Sequence, residues 1–192
     1  MTNIYNLFKF IEDKERYRTP FKLKLLNAPE TITTDDLIVN GYLDLSNTPI
    51  KSLPNNLIVK GNLNLNDSPI TSLPDNLTVN GELNLGNTKI TKLPDNLKVA
   101  GSLYLYNTKL TELPDNLKVG GYLNLGYTKI TKLPDNLTVR GYLYLRYAPI
   151  TSLPKDLKVG MSLDLGNTPI SKKYTREQLK QMLPGVKGDI FV

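Results

Sequence analysis

Tyrosine and arginine are the side chains whose spacing in this sequence most strongly suggests a site. Seven of the 11 tyrosines fall between positions 104 and 147, and two arginines lie among them. The set is Tyr104, Tyr106, Tyr122, Tyr127, Tyr142, Tyr144, Tyr147, Arg140 and Arg146. Because Tyr and Arg are enriched among residues that dominate protein–protein binding energy, the set predicts a protein-binding patch. The alternative is that these tyrosines pack across strands because they suit a half-exposed sheet.

Lysines suggest a second kind of partner, because the chain carries a net charge of +6. Lys89, Lys109 and Lys129 recur at a fixed interval and define a candidate nucleic-acid flank. Turn aspartates such as Asp95 and Asp115 run beside them, so a solvated surface is the competing interpretation. A further alternative is a structural or ice-binding role for a regular threonine row. That row is Thr71, Thr91, Thr111, Thr131 and Thr151.

Catalysis finds no support in the residue types. The chain has no histidine and no cysteine, which removes the common base–nucleophile pairs and the soft metal sites. Gly81 and Gly86 have the glycine spacing of a phosphate-binding loop, but Asn87 stands where that loop needs lysine. We expect a non-enzymatic protein with no catalytic residue, no metal and no cofactor.

A twenty-residue period positions all of these side chains. The stretch from Thr71 to Ile90 is repeated without insertion or deletion from residue 31 to residue 170, seven times in all. A fixed period of this length predicts a solenoid, in which each unit rests on its neighbours. Leu83 and Leu85 should point inward from a short strand that pairs in parallel with the next coil, about 4.8 Å away. A second extended piece, Leu77–Val79, is predicted on the opposite wall.

The two ends depart from the repeat. Residues 1–20 are predicted to be a helical cap built on an amphipathic helix at 3–17, with a partner-binding helix as the alternative. Residues 21–30 are interpreted as a partial repeat whose strand contains Leu23 and Leu25. Residues 171–192 are predicted to form a helix-plus-strand cap, opened by a capping box at Thr175 and closed by a strand at Ile190–Val192. At 192 residues with a repeat interior, residues 1–192 are predicted to form one domain.

The repeat motif L-x-L-x-x-[NT]-x-[IL]-x-x-L-P, as in Leu83 to Pro94, resembles the leucine-rich repeat. The match is to the short Leu-Pro type of bacterial and bacteriophage proteins. It implies a module that engages a protein partner through its sheet face, such as a phage- or effector-type blocker of a host protein. The family often has Asn at the position of Thr88, so a column of hydroxyls is the expected substitute here. The added L-x-V-x-G before the strand leaves two shapes open, a curved coil and a flatter, β-helix-like coil.

The sequence thus predicts a leucine-rich-repeat-like solenoid, mostly β, with one parallel sheet of about nine short strands and helical caps at both ends. Counting the outward strand columns gives Lys22, Lys24 and Arg146 against Asp44, Glu82 and Asp164, which argues against nucleic acid on the sheet face. The N-terminal segment lacks the features of a secretory signal, and no stretch is long and apolar enough to span a membrane. We expect a cytoplasmic protein, in its own cell or in a host cell.

Overall fold

Two parallel β-sheets form opposite walls of a solenoid in this computed structural model, which describes residues 20–115 and 117–192. In the Val sheet every strand ends in valine: β1 (Ile38–Val39), β3 (Ile58–Val59), β5 (Thr78–Val79), β7 (Lys98–Val99), β9 (Lys118–Val119), β11 (Thr138–Val139) and β13 (Lys158–Val159). In the Leu sheet all strands but the last begin with leucine: β2 (Leu43–Asp44), β4 (Leu63–Asn64), β6 (Leu83–Asn84), β8 (Leu103–Tyr104), β10 (Leu123–Asn124), β12 (Leu143–Tyr144), β14 (Leu163–Asp164) and β15 (Ile190–Phe191).

The register between coils follows from the constant repeat length. Leu83 pairs with Leu63 on one side and with Leu103 on the other. The Leu83 N–H donates to the Ser102 carbonyl at 2.9 Å, and the Leu85 N–H donates to the Tyr104 carbonyl at 2.8 Å. A one-residue insertion would turn the inward leucines of a strand to the outside, so the unbroken period keeps equivalent side chains in columns.

The core is the predicted spine of stacked leucines. Leu83, Leu85, Leu103 and Leu105 are all fully buried, and the equivalent positions of the other coils are buried with them. Full burial of one such side chain contributes about 1.5–3 kcal/mol. No helix interrupts residues 40–115 or 117–165. The prediction of a solenoid with a parallel sheet is confirmed, and so is the second extended piece, which is β5 in this unit.

The turn after each Leu-sheet strand is held by the expected hydroxyl column. Asn87 takes a left-handed conformation with φ of 57°, and the Thr88 hydroxyl donates to the Leu85 carbonyl at 2.7 Å. The same bond to the residue three positions back is made by Thr48, Ser68, Thr108, Thr128 and Thr168. Ala148 is the exception in the column and is itself buried.

The prediction of a strand in the partial repeat 21–30 is wrong, because helix α1 (Phe21–Asn27) occupies it. Leu25 is buried, but Leu23, expected to be inward, is 48% exposed. Leucine and lysine favour helix, and a helix satisfies its backbone groups internally, whereas an end strand leaves one row unpaired. The Leu sheet therefore has eight strands, and a second sheet of seven lies opposite, so one sheet of about nine strands is also wrong.

Two short 3₁₀ helices, Pro29–Thr31 and Thr34–Leu37, connect α1 to the first coil. At the other end, α2 (Pro169–Lys173) begins at the last two residues of the final unit, and α3 (Arg176–Met182) comes after it. Two features agree with the sequence prediction: α3 has its capping box between Thr175 and Gln178, and β15 pairs in parallel with β14. The sequence does not predict α2. The amphipathic helix expected at 3–17 lies outside the described residues.

Candidate protein-binding face

Four of the predicted tyrosines lie together on the outer face of the Leu sheet. Tyr104 and Tyr144 are the second residues of β8 and β12, while Tyr122 and Tyr142 immediately precede β10 and β12. The rings of Tyr122 and Tyr142 meet edge to face with centroids 5.2 Å apart. The rings of Tyr142 and Tyr144 are stacked with centroids 5.8 Å apart. We call Tyr104, Tyr122, Tyr142 and Tyr144 the tyrosine cluster.

The phenol of Tyr144 is partly buried within the tyrosine cluster. Partial burial raises its pKa above the usual value, and the nearby Tyr142, Tyr122, Asp164 and Tyr104 add to the rise. Each of these groups makes a negative charge on Tyr144 less favourable, so its hydroxyl keeps its proton at neutral pH. A protonated phenol can both donate and accept a hydrogen bond, which suits a polar group of a partner.

Tyr104 and Tyr144 replace residues that hold the backbone turn in the other coils. The Asn84 carboxamide oxygen accepts a hydrogen bond from the Gly86 N–H at 3.0 Å. The same bond to the residue two positions on is accepted by Asp44, Asn64, Asn124 and Asp164. Tyrosine carries no oxygen close enough to its own backbone to make this bond. The coils with Tyr104 and Tyr144 therefore give up a hydrogen bond worth about 0.5–1.5 kcal/mol and gain a half-exposed ring.

Tyr127 and Tyr147 form a second aromatic group, the tyrosine pair, in the turns that follow β10 and β12. Their rings are stacked with centroids 4.5 Å apart, and they are 59% and 47% exposed. Both have φ of 59°, in the left-handed region. The other left-handed residues at this turn position are Asn47, Asp67, Asn87, Asn107 and Asn167. Asn and Asp tolerate this conformation better than an aromatic residue, so the repeat itself does not require tyrosine here.

The other three residues of the predicted patch have different surroundings. The Tyr106 ring lies across Gly86, and its hydroxyl donates to the Asn66 carboxamide oxygen at 2.5 Å, which is the cross-strand packing of the alternative interpretation. Arg146 lies over Gly166 and pairs with Asp164 at 3.5 Å. Arg140 lines a groove on the Val sheet, beside Lys118 and Thr138. The structure therefore brings Arg146 to the face of the tyrosine cluster but not Arg140.

The predicted lysine flank is a separate surface. Lys89, Lys109 and Lys129 are exposed in three consecutive coils, and each follows the left-handed turn residue by two positions. Backbone bonds fix their spacing, since the Lys109 N–H donates to the Ile90 carbonyl at 3.1 Å and the Lys129 N–H donates to the Leu110 carbonyl at 3.0 Å. The regular threonines are also exposed: Thr71, Thr91, Thr111, Thr131 and Thr151.

Sequence reasoning left two exposed aromatic residues of the Leu sheet face out of the patch: Phe191, which pairs with Asp164 at the C-terminal end and is 52% exposed, and Tyr42. Tyr42 is 59% exposed at the N-terminal end of the sheet, and its hydroxyl accepts a hydrogen bond from the Asn64 amide at 3.3 Å. It forms one end of a shallow groove that Tyr104 closes at the other end. Tyr42 belongs to the same column as Tyr122 and Tyr142, which is the signal that could have identified it, but it lies apart from the three units in which tyrosines concentrate.

No family model and no curated protein matches this chain. Residues 20–115 and 117–192 contain no group of three or more His, Cys, Asp or Glu side chains placed to hold a metal ion. Among the same residues, no helix has the length and apolar character needed to cross a membrane.

Proposed function

We propose that this protein is a non-catalytic binding module that holds a protein partner on the outer face of its Leu sheet. The observation that carries the proposal is the replacement of turn-forming Asn and Asp by tyrosine in adjacent coils. Tyr104 and Tyr144 remove a turn hydrogen bond, and Tyr127 and Tyr147 occupy left-handed positions. Residues that cost local stability and stay exposed are typical of functional surfaces.

The sheet supports such binding because it is already ordered. Ladder bonds on both sides of β8, β10 and β12 fix the backbone, and the ring contacts within the tyrosine cluster restrict the side chains. A partner would therefore meet rings that lose little conformational freedom on binding. Tyrosine also supplies a large apolar area with one polar end, which is why it is common at the centre of interfaces.

The finer role in this proposal rests on the repeat motif. The Leu-Pro motif and the leucine columns support a leucine-rich-repeat-like module that occupies and blocks a host protein in the cytoplasm, in the manner of a phage or effector protein. Such a role needs only a stable surface and no reacting group.

Substitution of the tyrosine cluster tests the proposal. Tyr104, Tyr122 and Tyr144 would be changed together to alanine, and partners would be captured from the native host and identified by mass spectrometry. The matched control changes three exposed threonines, Thr71, Thr91 and Thr111, to alanine. We expect the tyrosine variant to lose a partner that the wild type and the threonine control both capture, with circular dichroism unchanged. Retained capture by the tyrosine variant would remove the cluster from the interface.

The lysine flank supports a second candidate function, nucleic-acid binding. Its three lysines lie on one line, one coil apart, and Lys129 is two residues from the exposed ring of Tyr127. Affinity for a single-stranded oligonucleotide should then fall steeply as salt rises, and Lys89, Lys109 and Lys129 changed to Gln should flatten that dependence. The matched control changes Lys98, Lys118 and Lys158, exposed on the Val sheet, to Gln. Equal effects of the two triple variants, or no binding by the wild type, would exclude this function.

A further inference from the structure

The groove between Tyr42 and Tyr104 has a lining unlike that of the tyrosine cluster. Its ends are the two rings, and its floor and sides are Asn62, Asn64, Glu82 and Asn84. The carboxamide oxygens of all three asparagines already accept backbone N–H groups at 2.9–3.1 Å. The Glu82 carboxylate is exposed and receives no hydrogen bond or ion pair from residues 20–115 or 117–192. The groove therefore presents one uncommitted negative charge between two aromatic rings.

Charge on the Leu sheet face points to a cationic occupant. The finding that residues 21–27 are helical removes Lys22 and Lys24 from the outward columns. The remaining charges of the repeat columns are Asp44, Glu82, Asp164 and Arg146. Arg146 pairs with Asp164, and the pKa of Asp44 is lowered mainly by hydrogen bonds from Ser46, with a smaller contribution from the charge of Lys22 in α1. The columns thus carry three carboxylates against one guanidinium in a chain whose net charge is +6, and Glu82 is the one of the three whose carboxylate has neither a hydrogen bond nor an ion pair among the described residues.

We propose that this groove accepts an arginine side chain of the protein partner, with its guanidinium group paired to Glu82 and lying against a tyrosine ring. A guanidinium is planar, so it can stack on an aromatic face while it donates two parallel hydrogen bonds to a carboxylate. A lysine ammonium would use the charge but not the flat ring surface. The inference rests on the proposed function, because it assigns the chemistry of one contact of that partner.

A small-molecule titration tests the groove without the partner. Nitrogen-15-labelled protein would be titrated with N-acetyl-arginine methylamide and, as the neutral isostere, with N-acetyl-citrulline methylamide, at a constant ionic strength of about 0.15 M. We expect the backbone signals of Asn64, Glu82 and Tyr104 to move saturably with the arginine compound. The citrulline compound and N-acetyl-lysine methylamide should bind more weakly, the former by about tenfold or more.

Substitutions in the groove and matched controls test whether the arginine compound binds there. Glu82→Gln should weaken binding of the arginine compound by about tenfold, which corresponds to the loss of one charged pair. Glu112→Gln, the same change at an exposed acid outside the groove, should leave binding unchanged. Tyr42→Ala should weaken it, while Tyr42→Phe keeps the ring and should retain it. Equal binding of citrulline or lysine, or shifts spread evenly over all exposed acids, would overturn the proposal.

The two proposals fail in different ways. If arginine produces no shift but the wild type and Glu82→Gln both capture a partner that the tyrosine variant loses, the arginine site is wrong and the binding face stands. If arginine binds as expected but alanine at Tyr104, Tyr122 and Tyr144 leaves capture of every partner unchanged, the proposed binding face is wrong. The groove would then be a guanidinium site without the partner assigned to it.

Discussion

At the scale of single residues, Tyr127 and Tyr147 show what the exposed aromatic surface costs the fold. A left-handed conformation costs a residue such as tyrosine about 1–2 kcal/mol, and Asn is among the few types that adopt it more easily. Their stacking at 4.5 Å returns part of that cost, since an aromatic pair contributes about 0.5–1.5 kcal/mol. Stacking of the two rings therefore offsets part of the backbone strain at both residues of the tyrosine pair.

Substitution of asparagine for Tyr127 and Tyr147 should separate the cost of the left-handed conformation from the gain of ring stacking. Either Tyr127→Asn or Tyr147→Asn alone removes one strained residue and the stacking contact, so we expect changes near zero. The double variant removes both strained residues for the loss of the same single contact, and should gain about 1 kcal/mol in free energy of unfolding. Urea unfolding measures this. Asn47→Tyr, which creates an unstacked left-handed tyrosine, should lose about 1 kcal/mol, and a destabilised double variant would refute the argument.

Tyr144 should make stability depend on alkaline pH. Its pKa in the folded protein lies above the ordinary value of 10.0, chiefly because of partial burial. The folded state therefore holds this proton more tightly than the unfolded chain, so its contribution is fully present below pH 10 and is lost as pH rises through the folded pKa. Tyr144→Phe should show a shallower loss of stability above about pH 10, measured by urea unfolding at several pH values. Parallel curves for the variant and the wild type would contradict this.

At the scale of elements, the turn after each Leu-sheet strand depends on one buried hydroxyl. The Thr128 side chain is 4% exposed and donates to the Leu125 carbonyl at 2.7 Å. Thr128→Val keeps the shape but leaves that carbonyl without this donor, so we expect a loss of about 1–3 kcal/mol in free energy of unfolding. Thr131→Val makes the same change at an exposed position three residues on and should change stability by no more than about 0.5 kcal/mol. Equal losses would refute a role for the buried bond.

The sequence predicts best the elements whose residue pattern recurs in every repeat. The extended segment from Leu83 to Leu85 has an equivalent in every unit, and each copy supports the register of its neighbours, so a single period defines the whole core. The sequence of helix α1, in contrast, occurs only once in the chain. Leu23 and Leu25 fit a strand by alternation, yet the same short segment fits a helix, and only packing at the open end of the solenoid decides between them.

The site is predictable to the extent that it follows the columns. Column positions place Tyr104, Tyr122, Tyr142 and Tyr144 on one face, but they do not show that Tyr106 bends over Gly86 to bond with Asn66. That depends on which neighbouring positions are glycine and hence leave room for a ring. The left-handed turn is likewise a backbone property, visible in sequence only as a column of Asn and Asp that two tyrosines interrupt.

At the scale of the whole molecule, stability should be a property of stacked units and their interfaces. Deletion of residues 51–70 removes one complete unit and joins Ile50 to Thr71, so every remaining leucine keeps an in-register partner. We expect this variant to fold, with an unchanged circular dichroism spectrum per residue and a lower denaturant slope, because it buries less surface. Deletion of residues 71–80 removes half a unit together with β5, and it brings Leu93 and Pro94 to the position that Leu83 and Asn84 of β6 occupy. That variant should lose cooperative unfolding, and cooperative folding of both deletions would show that register does not hold the solenoid together.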